Sequence, residues 1–307
     1  MRPIPVTFRA LRRTYRAPRL VLLLWGAHLM IAGVAAYPVL RHLDRMLAHA
    51  PAGDELLERL SLPLVADLLR AGGDWVMVLG PLLALVALLT LLWNVFAAGG
   101  ALETLLSGDP SRIAHRFGRG AGRFFGRFLR MGLAALPTAL LAAAILAGPV
   151  FGVRGSLDDN AEGAKYWLGL AGAGIALFVL LLVLLALDLA RVRVARDDVR
   201  HGVRLFFATL RAVLRRPGRV LALWGLLALL FAGISALYLV LRQILPAAGG
   251  APLFALFLAQ QLVMIARAGM RVALWSGEIA LVDQRWPEAP LAERLAAGPR
   301  APIPPSA

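Results

Sequence analysis

The sequence predicts an all-α membrane protein with about six transmembrane helices, arranged as three hairpins. Three observations support this fold class. Hydrophobic residues make up 60% of the chain and charged residues 17%, whereas soluble domains are about 45–50% apolar and about 25% charged. Six apolar segments approach or exceed the length of about 20 residues that a helix needs to cross a bilayer. Basic residues also alternate between abundant and scarce in successive loops.

The apolar segments define the predicted spans. Each must satisfy its own backbone in lipid, and none alternates with the period of two that a barrel strand needs, so each is predicted to be a helix. The spans are 20–40, 75–98, 131–153, 166–190, 220–241 and 252–270. Residues 1–286 therefore form one polytopic membrane domain. The tail 287–307 contains six prolines, and it is predicted to be disordered or extended because proline excludes helix.

The distribution of arginine orients the predicted spans. Segments 1–19, 99–130 and 191–219 contain six, six and nine arginines. The intervening loops 41–74, 154–165 and 242–251 contain four, two and one basic residues. Because basic loops remain on the cytoplasmic side, this alternation predicts that both termini are cytoplasmic. The acidic stretch 53–70, which is predicted to contain short amphipathic helices, would then lie outside.

The composition and an internal repeat refine this topology. Lys165 is the only lysine, and the excess of Arg, Ala, Leu and Gly is typical of GC-rich bacteria, which predicts a bacterial inner membrane. Ten residues between Phe8 and Gly26 match ten residues between Phe207 and Gly225 without a gap. A cleaved signal peptide would not be expected to recur inside the mature chain, so the first segment is predicted to be a span. Repeats of this kind are common in membrane bundles.

The basic segment 112–130 is predicted to form an amphipathic helix at the membrane interface. At 100° per residue its arginines fall within an arc of roughly 80°, and its phenylalanines lie on the other side. These arginines are Arg112, Arg116, Arg119, Arg123, Arg127 and Arg130. Two interpretations stay open: the arginines bind anionic lipid headgroups, or they only fix the topology. Gly118, Gly122 and Gly126 lie beside them, at a spacing that favours close contact with another helix.

The basic segment 191–219 shows a similar pattern. Arg193, Arg196, Arg200, Arg204 and Arg211 are predicted to share one helical face, with valine, phenylalanine and leucine side chains on another. A proline at position 217 is expected to end the helix before the fifth span, because proline interrupts the backbone hydrogen bonds of a helix.

Polar side chains within or beside the spans are candidates for an ion or substrate path. These candidates are Asn94, Asp188, Gln260, Gln261, Arg267, Arg271 and Glu278. In the competing interpretation the sixth helix leaves the lipid near residue 268 and continues as an interfacial amphipathic helix. The sequence favours this interpretation because residues 252–271 already span the hydrocarbon and long side chains reach the surface.

The sequence gives no support for an enzymatic activity. The chain has no cysteine, which excludes disulfides, thiolate metal sites and cysteine nucleophiles. It contains no phosphate-binding loop, no serine-nucleophile motif and no metalloprotease or calcium-binding motif. Its five histidines lack metal-ligand spacing. We therefore predict no catalytic residue, no metal and no cofactor, and no nucleic-acid partner because the arginines border spans.

Three short motifs border the second, third and fifth spans. They are Gly100-Ala101-Leu102-Glu103 with Leu105 and Gly108, then Phe124 to Arg130, and Leu214-Arg215-Arg216-Pro217-Gly218-Arg219. In these motifs and in its layout the chain resembles a group of bacterial six-helix membrane proteins, which are similar to the membrane domain attached to some glycerophosphodiester phosphodiesterases. The resemblance covers most of the chain. It implies a fold and a membrane location but no activity, because the phosphodiesterase catalytic domain is not in this sequence.

The sequence therefore favours a non-enzymatic bacterial inner-membrane protein that binds or organises lipids, anionic ones above all, or a partner membrane protein. The arginine-rich segments motivate this hypothesis. The alternative is a small transporter or permease with a polar site near the sixth helix, which the repeats and the polar residues of that helix favour. The sequence does not define an oligomeric state.

Overall fold

A computed structural model describes residues 3–47, 74–108, 112–158, 161–245 and 250–284. Within these ranges the regular structure is entirely helical. The amphipathic helices predicted for 53–70 and the tail 287–307 lie outside the described residues.

Eight helices account for nearly all of the described chain. They are α1 (Pro3–Tyr15), α2 (Pro18–Leu47), α3 (Asp74–Ser107), α4 (Ile113–Ser156), α5 (Glu162–Asp197), α6 (Gly202–Arg215), α7 (Gly218–Ile244) and α8 (Gly250–Asp283). All but α1 and α6 are long and apolar enough to cross a membrane, which makes six candidate spans among the described residues. The prediction of an all-α membrane protein with six spanning helices is confirmed.

The sequence repeat corresponds to a repeated arrangement of helices. The short amphipathic helices α1 and α6 contain 13 and 14 residues, and two residues separate each from the long apolar helix that follows. Pro18 is the first residue of α2, where its missing N–H costs no hydrogen bond. At the break between α6 and α7, the backbone N–H of Arg216 donates to the carbonyl of Ala212 at 3.1 Å, which closes the last turn of α6.

The chain divides into two compact units. Of the described residues, unit 1 contains 3–13, 95–108, 112–158, 161–226 and 273–284, and unit 2 contains 14–47, 74–94, 227–245 and 250–272. In unit 1, α4 packs against α5 and both contact α6. Its core consists of large side chains that are less than 2% exposed, among them Phe124, Phe128, Phe206, Met131, Leu185 and Leu189. Burial of each such side chain contributes about 1.5–3 kcal/mol.

Unit 2 exposes long apolar surfaces and contains a few polar contacts. Met30 and Phe254 are 75% and 61% exposed, as expected of residues that face lipid. Trp25 donates from its indole N–H to the Gln261 side-chain oxygen at 3.2 Å, which joins α2 to α8. Such a bond satisfies two polar groups that hydrocarbon cannot solvate.

The carboxyl-terminal part of α8 differs from its prediction. An interfacial helix would expose one face, whereas residues 273–279 are all buried. Trp275 and Glu278 are 2% and 0% exposed. A Cβ atom on Gly277 would lie 2.8 Å from Cδ2 of Leu223, so α7 and α8 touch in unit 1. The amphipathic surface that was predicted beyond residue 268 is therefore not found at residues 273–279, because neighbouring helices cover this segment.

Candidate functional site

The basic segment that was predicted as an amphipathic helix forms the first part of α4. The helix continues without a break through the predicted third span. Its apolar face is buried in unit 1, where Phe117 meets Phe96 edge-on at 5.9 Å between ring centroids. Its basic face is open, with the side chains of Arg119 and Arg123 60% and 47% exposed. The apolar face therefore packs against protein instead of lying on a membrane surface.

Glycines allow α3 and α4 to touch beneath the basic face. A Cβ atom on Gly120 would lie 2.8 Å from the carbonyl oxygen of Gly99, and one on Gly100 would lie 2.6 Å from the ring of Phe117. The predicted contact glycines lie elsewhere on the helix. No neighbouring heavy atom of the described chain lies within 4 Å of the Cβ position at Gly118, Gly122 or Gly126. That prediction is wrong, since those three glycines share the open arginine side.

Two carboxylates form ion pairs with the arginines in the middle of the basic face. Glu103 of α3 accepts a hydrogen bond from Arg119 at 2.8 Å and lies 4.0 Å from Arg123. Asp198 accepts from Arg123 at 2.9 Å and from Arg127 at 2.6 Å. Each carboxylate thus bridges two successive arginines of α4. The face is an ordered ion-pair network in its centre and remains strongly basic in total.

Asp198 owes its position to the end of α5. Its backbone has φ 50°, in the left-handed region that aspartate tolerates better than most residues. The hydrogen bond from Arg127 lowers the pKa of the Asp198 carboxyl, and the hydrogen bond and charge of Arg123 lower it further, against a smaller opposing effect of burial. The carboxylate therefore stays ionised at neutral pH and keeps the two arginines in place.

Aromatic rings connect the exposed arginines to the interior of unit 1. The rings of Phe124 and Phe128 stack with centroids 5.5 Å apart. The guanidinium of Arg123 lies 5.2 Å from the centroid of Phe124, and that of Arg191 lies 5.8 Å from Phe128. Cation–π contacts contribute about 0.5–2 kcal/mol, more when desolvated. The stack therefore fixes the orientation of arginines at both ends.

Arg191 belongs to a buried polar cluster on α5. It donates to Asp188 at 3.1 Å, and both side chains are only 7% exposed. Arg193 is 3% exposed and donates to the hydroxyl of Thr209 on α6 at 3.5 Å. The prediction that Arg193 shares one helical face with the other arginines of this segment is wrong, because α5 ends at Asp197 and α6 starts a new helix at Gly202.

A pocket of about 360 Å³ opens where α4 meets the turn between α5 and α6. Its lining includes four arginines, Arg127, Arg130, Arg200 and Arg204, together with His201. Among the described residues, no acidic side chain lines it, and Arg130, Arg200 and Arg204 pair with no carboxylate.

The other predicted arginines of α4 lie at its amino-terminal end. Arg112 precedes the helix with φ 53° and is exposed. Arg116 donates to the hydroxyl of Ser107 at 2.9 Å, which joins the start of α4 to the end of α3. Arg130, the last residue of the basic segment 112–130, is exposed and lines the pocket. The six predicted arginines therefore divide into a paired centre and two ends.

The polar residues predicted within the spans have different environments. In unit 1, Asp188 is paired with Arg191 and Glu278 is fully buried. In unit 2, Asn94 donates to the carbonyl of Thr90 in its own helix at 2.8 Å, and Gln261 accepts from Trp25. Gln260 and Arg267 are exposed, and Arg271 is half-buried.

Sequence reasoning missed His201 as a pocket residue and both bridging carboxylates, and it did not bring Arg200 and Arg204 beside α4. A signal for the carboxylates was present. Segments 99–130 and 191–219 contain only four acidic residues, namely Glu103, Asp109, Asp197 and Asp198. An acidic residue inside a strongly basic segment is a natural counterion. The sequence contains no comparable signal for the position of Arg200 and Arg204 beside α4, because that position depends on how α6 and the turn before it pack on α4.

Comparison with known proteins provides no relative for this chain. No family model, curated protein or solved structure matches it. The resemblance to bacterial six-helix membrane proteins therefore stays a prediction.

Proposed function

We propose that this protein is a non-enzymatic component of a bacterial inner membrane that binds anionic lipid headgroups through the arginines of α4 and α6 on the cytoplasmic side. The observation that supports this function best is the arginine-lined pocket. It places Arg130, Arg200 and Arg204 around one opening whose lining, in the described part of the chain, contains no acidic residue. Clusters of guanidinium groups at the edge of a membrane are typical of sites for anionic lipids.

The position of the pocket along the helices supports a headgroup ligand. Arg130 lines the pocket, and the predicted apolar stretch 131–153 of α4 begins at the next residue. Helices of this length place the end of their apolar stretch at the boundary of the hydrocarbon. The pocket would therefore lie at the depth of lipid phosphates.

A transporter is the weaker proposal. It needs polar groups that face a water-filled path near the middle of the spans. Within unit 2, Asn94 bonds to its own helix and Gln261 bonds to Trp25. Within unit 1, Asp188 faces Arg191. These contacts give such side chains structural partners, whereas three of the four pocket arginines, Arg130, Arg200 and Arg204, form no ion pair with a described carboxylate.

The proposed function predicts that lipid binding depends on both the charge and the guanidinium shape of the exposed arginines. The variant carries Arg112→Gln, Arg130→Gln, Arg200→Gln and Arg204→Gln, four exposed arginines outside the Glu103 and Asp198 pairs. Each arginine near a membrane surface attracts anionic lipid by about 1 kcal/mol before screening. We expect the purified variant to lose most co-purifying anionic lipid while it stays folded. Native mass spectrometry measures bound lipid per protein.

The matching control carries Lys at the same four positions. Lys keeps the charge and satisfies the positive-inside rule, but it lacks the guanidinium fork that grips phosphate with two bonds. We expect this control to retain an intermediate amount of lipid. If wild type, the Lys variant and the Gln variant retained the same amount of bound lipid, the arginines would only set the topology. That result would overturn the proposed function.

The proposed orientation predicts the result of cysteine labelling. The chain contains no cysteine, so a single introduced thiol gives no background. With Ala52→Cys we expect reaction with an impermeant thiol reagent in whole cells. With Ser107→Cys we expect reaction only after the cells are opened, because Ser107 lies next to the basic start of α4. The opposite pattern would invert the topology.

A further inference from the structure

The pocket beside α4 combines side-chain charge with the amino terminus of a helix. α6 contains 14 residues and begins at Gly202, which lines the pocket. The side chain of His201, the residue before it, does not cap the helix. The first backbone N–H groups of a helix have no intrahelical acceptor and carry a partial positive charge. This end of α6 therefore adds N–H donors to a site that is already lined by guanidinium groups.

Close packing fixes this arrangement before any ligand binds. A Cβ atom on Gly202 would lie 2.8 Å from the sulfur of Met131, so the start of α6 rests on α4 one residue after Arg130. Arg130 is itself tethered, since its Nε donates to the carbonyl of Gly126 at 3.0 Å. Arg127 is held by Asp198 at 2.6 Å. Two of the guanidinium groups and the helix terminus are thus preorganised, which reduces the entropy cost of binding.

The charges of the pocket favour a doubly charged ligand. Of its four arginines, only Arg127 is paired with a described carboxylate, which leaves three guanidinium charges to be balanced. A phosphodiester carries one negative charge and two free oxygens. A phosphate monoester carries about −1.5 to −2 charges and three strong acceptor oxygens. Arginine forks and a helix amino terminus are also the donors that phosphate groups prefer.

We propose that this pocket binds a terminal phosphate group, either a lipid phosphate monoester or free inorganic phosphate, in preference to a phosphodiester. This inference rests on the proposed function and narrows its ligand. Arg130, Arg200 and Arg204 supply the balancing charges, and the first turn of α6 supplies backbone donors to the phosphate oxygens. His201 lines the same opening.

The experiment compares two lipids with the same acyl chains, phosphatidic acid and phosphatidylglycerol, on the full-length protein by native mass spectrometry. The pocket variant carries Arg130→Gln and Arg204→Gln. The matched control carries Arg211→Gln and Arg215→Gln, which are exposed arginines of α6 outside the pocket. We expect wild type and control to prefer phosphatidic acid by about tenfold or more, the factor that one lost charge-assisted hydrogen bond typically costs. We expect the pocket variant to lose this preference.

A second measurement distinguishes lipid from free phosphate. Thermal unfolding in detergent is followed with inorganic phosphate and with chloride at equal ionic strength. If no anionic lipid binds but phosphate raises the melting temperature of wild type and not of the pocket variant, the pocket takes free phosphate and the proposed lipid function fails. If both lipids bind equally to wild type, the preference for a monoester is overturned while the lipid function stands. If the pocket variant keeps the preference, the pocket is not the site.

Discussion

Replacement of Gly120 by alanine is expected to destabilise the protein, although alanine is the better helix former. A Cβ atom at this position would meet Cβ of Glu103 and would lie 2.8 Å from the carbonyl oxygen of Gly99. Neither atom is the end of a flexible side chain, so α3 and α4 must move apart. Overpacking of this kind costs about 1–3 kcal/mol. We expect a lower melting temperature in detergent, which the intrinsic tryptophan fluorescence reports.

Gly122→Ala is the matched control on the same helix. No described heavy atom outside the local helix lies within 4 Å of the Cβ position of Gly122, so only the gain in helix propensity remains, about 1 kcal/mol. The two variants should therefore shift stability in opposite directions. Equal shifts would contradict the contact between α3 and α4. Separation of these helices should also weaken the bond between Glu103 and Arg119, now 2.8 Å long, and so disorder the basic face.

The spanning helices were predictable because the bilayer imposes a simple requirement. Each span needs about 20 apolar residues with internal hydrogen bonds, whatever its neighbours are. The faces of α4 were equally predictable, since the period of 3.6 residues places Phe117, Phe124 and Phe128 together. The neighbour of that face was not predictable. A face buried against protein and one that rests on a membrane are both apolar, so periodicity alone does not separate them.

The site depended on contacts that are distant in sequence. Glu103 and Arg119 are 16 residues apart, and Arg127 and Asp198 are 71 residues apart. Such pairs require the packing of α3 and α5 on α4, which local patterns do not specify. The prediction of the contact glycines was wrong for the same reason. Gly118, Gly122 and Gly126 have the spacing of contact residues, but they lie beside the arginines. Gly120 lies on the face of the buried phenylalanines, and that face makes the contact.

The burial of the last part of α8 shows a further limit of prediction from local sequence. Arg267 and Arg271 are ordinary markers of a helix that reaches the membrane surface. The sequence after them contains Trp275 and Glu278, which are compatible with an interface. In unit 1 both side chains are buried by surrounding helices. Burial of a carboxylate is a tertiary property, because the residue is stable there only with the partners that the fold brings to it.

The buried ion pair of α5 should give the largest single effect on stability. Asp188 and Arg191 lie 3.1 Å apart, and each side chain is 7% exposed. Asp188→Asn removes the carboxylate but leaves the Arg191 guanidinium in a site where its side chain is only 7% exposed. Loss of one partner of a buried pair costs about 3–5 kcal/mol. We therefore expect a strong fall in the melting temperature or failure to purify as a folded protein.

Two further variants show whether burial is the cause. Asp283→Asn breaks an exposed pair at the end of α8, where Arg196 lies 3.1 Å away and the two side chains are 37% and 53% exposed. Its cost should therefore be about 1 kcal/mol or less.

The double variant Asp188→Leu with Arg191→Met removes both charges of the buried pair. Apolar replacement of a buried pair is often neutral, so we expect the double variant to be more stable than Asp188→Asn. A double variant as unstable as Asp188→Asn would mean that the charges hold other groups of unit 1 in place. Equal costs for Asp188→Asn and Asp283→Asn would mean that solvent reaches the pair on α5.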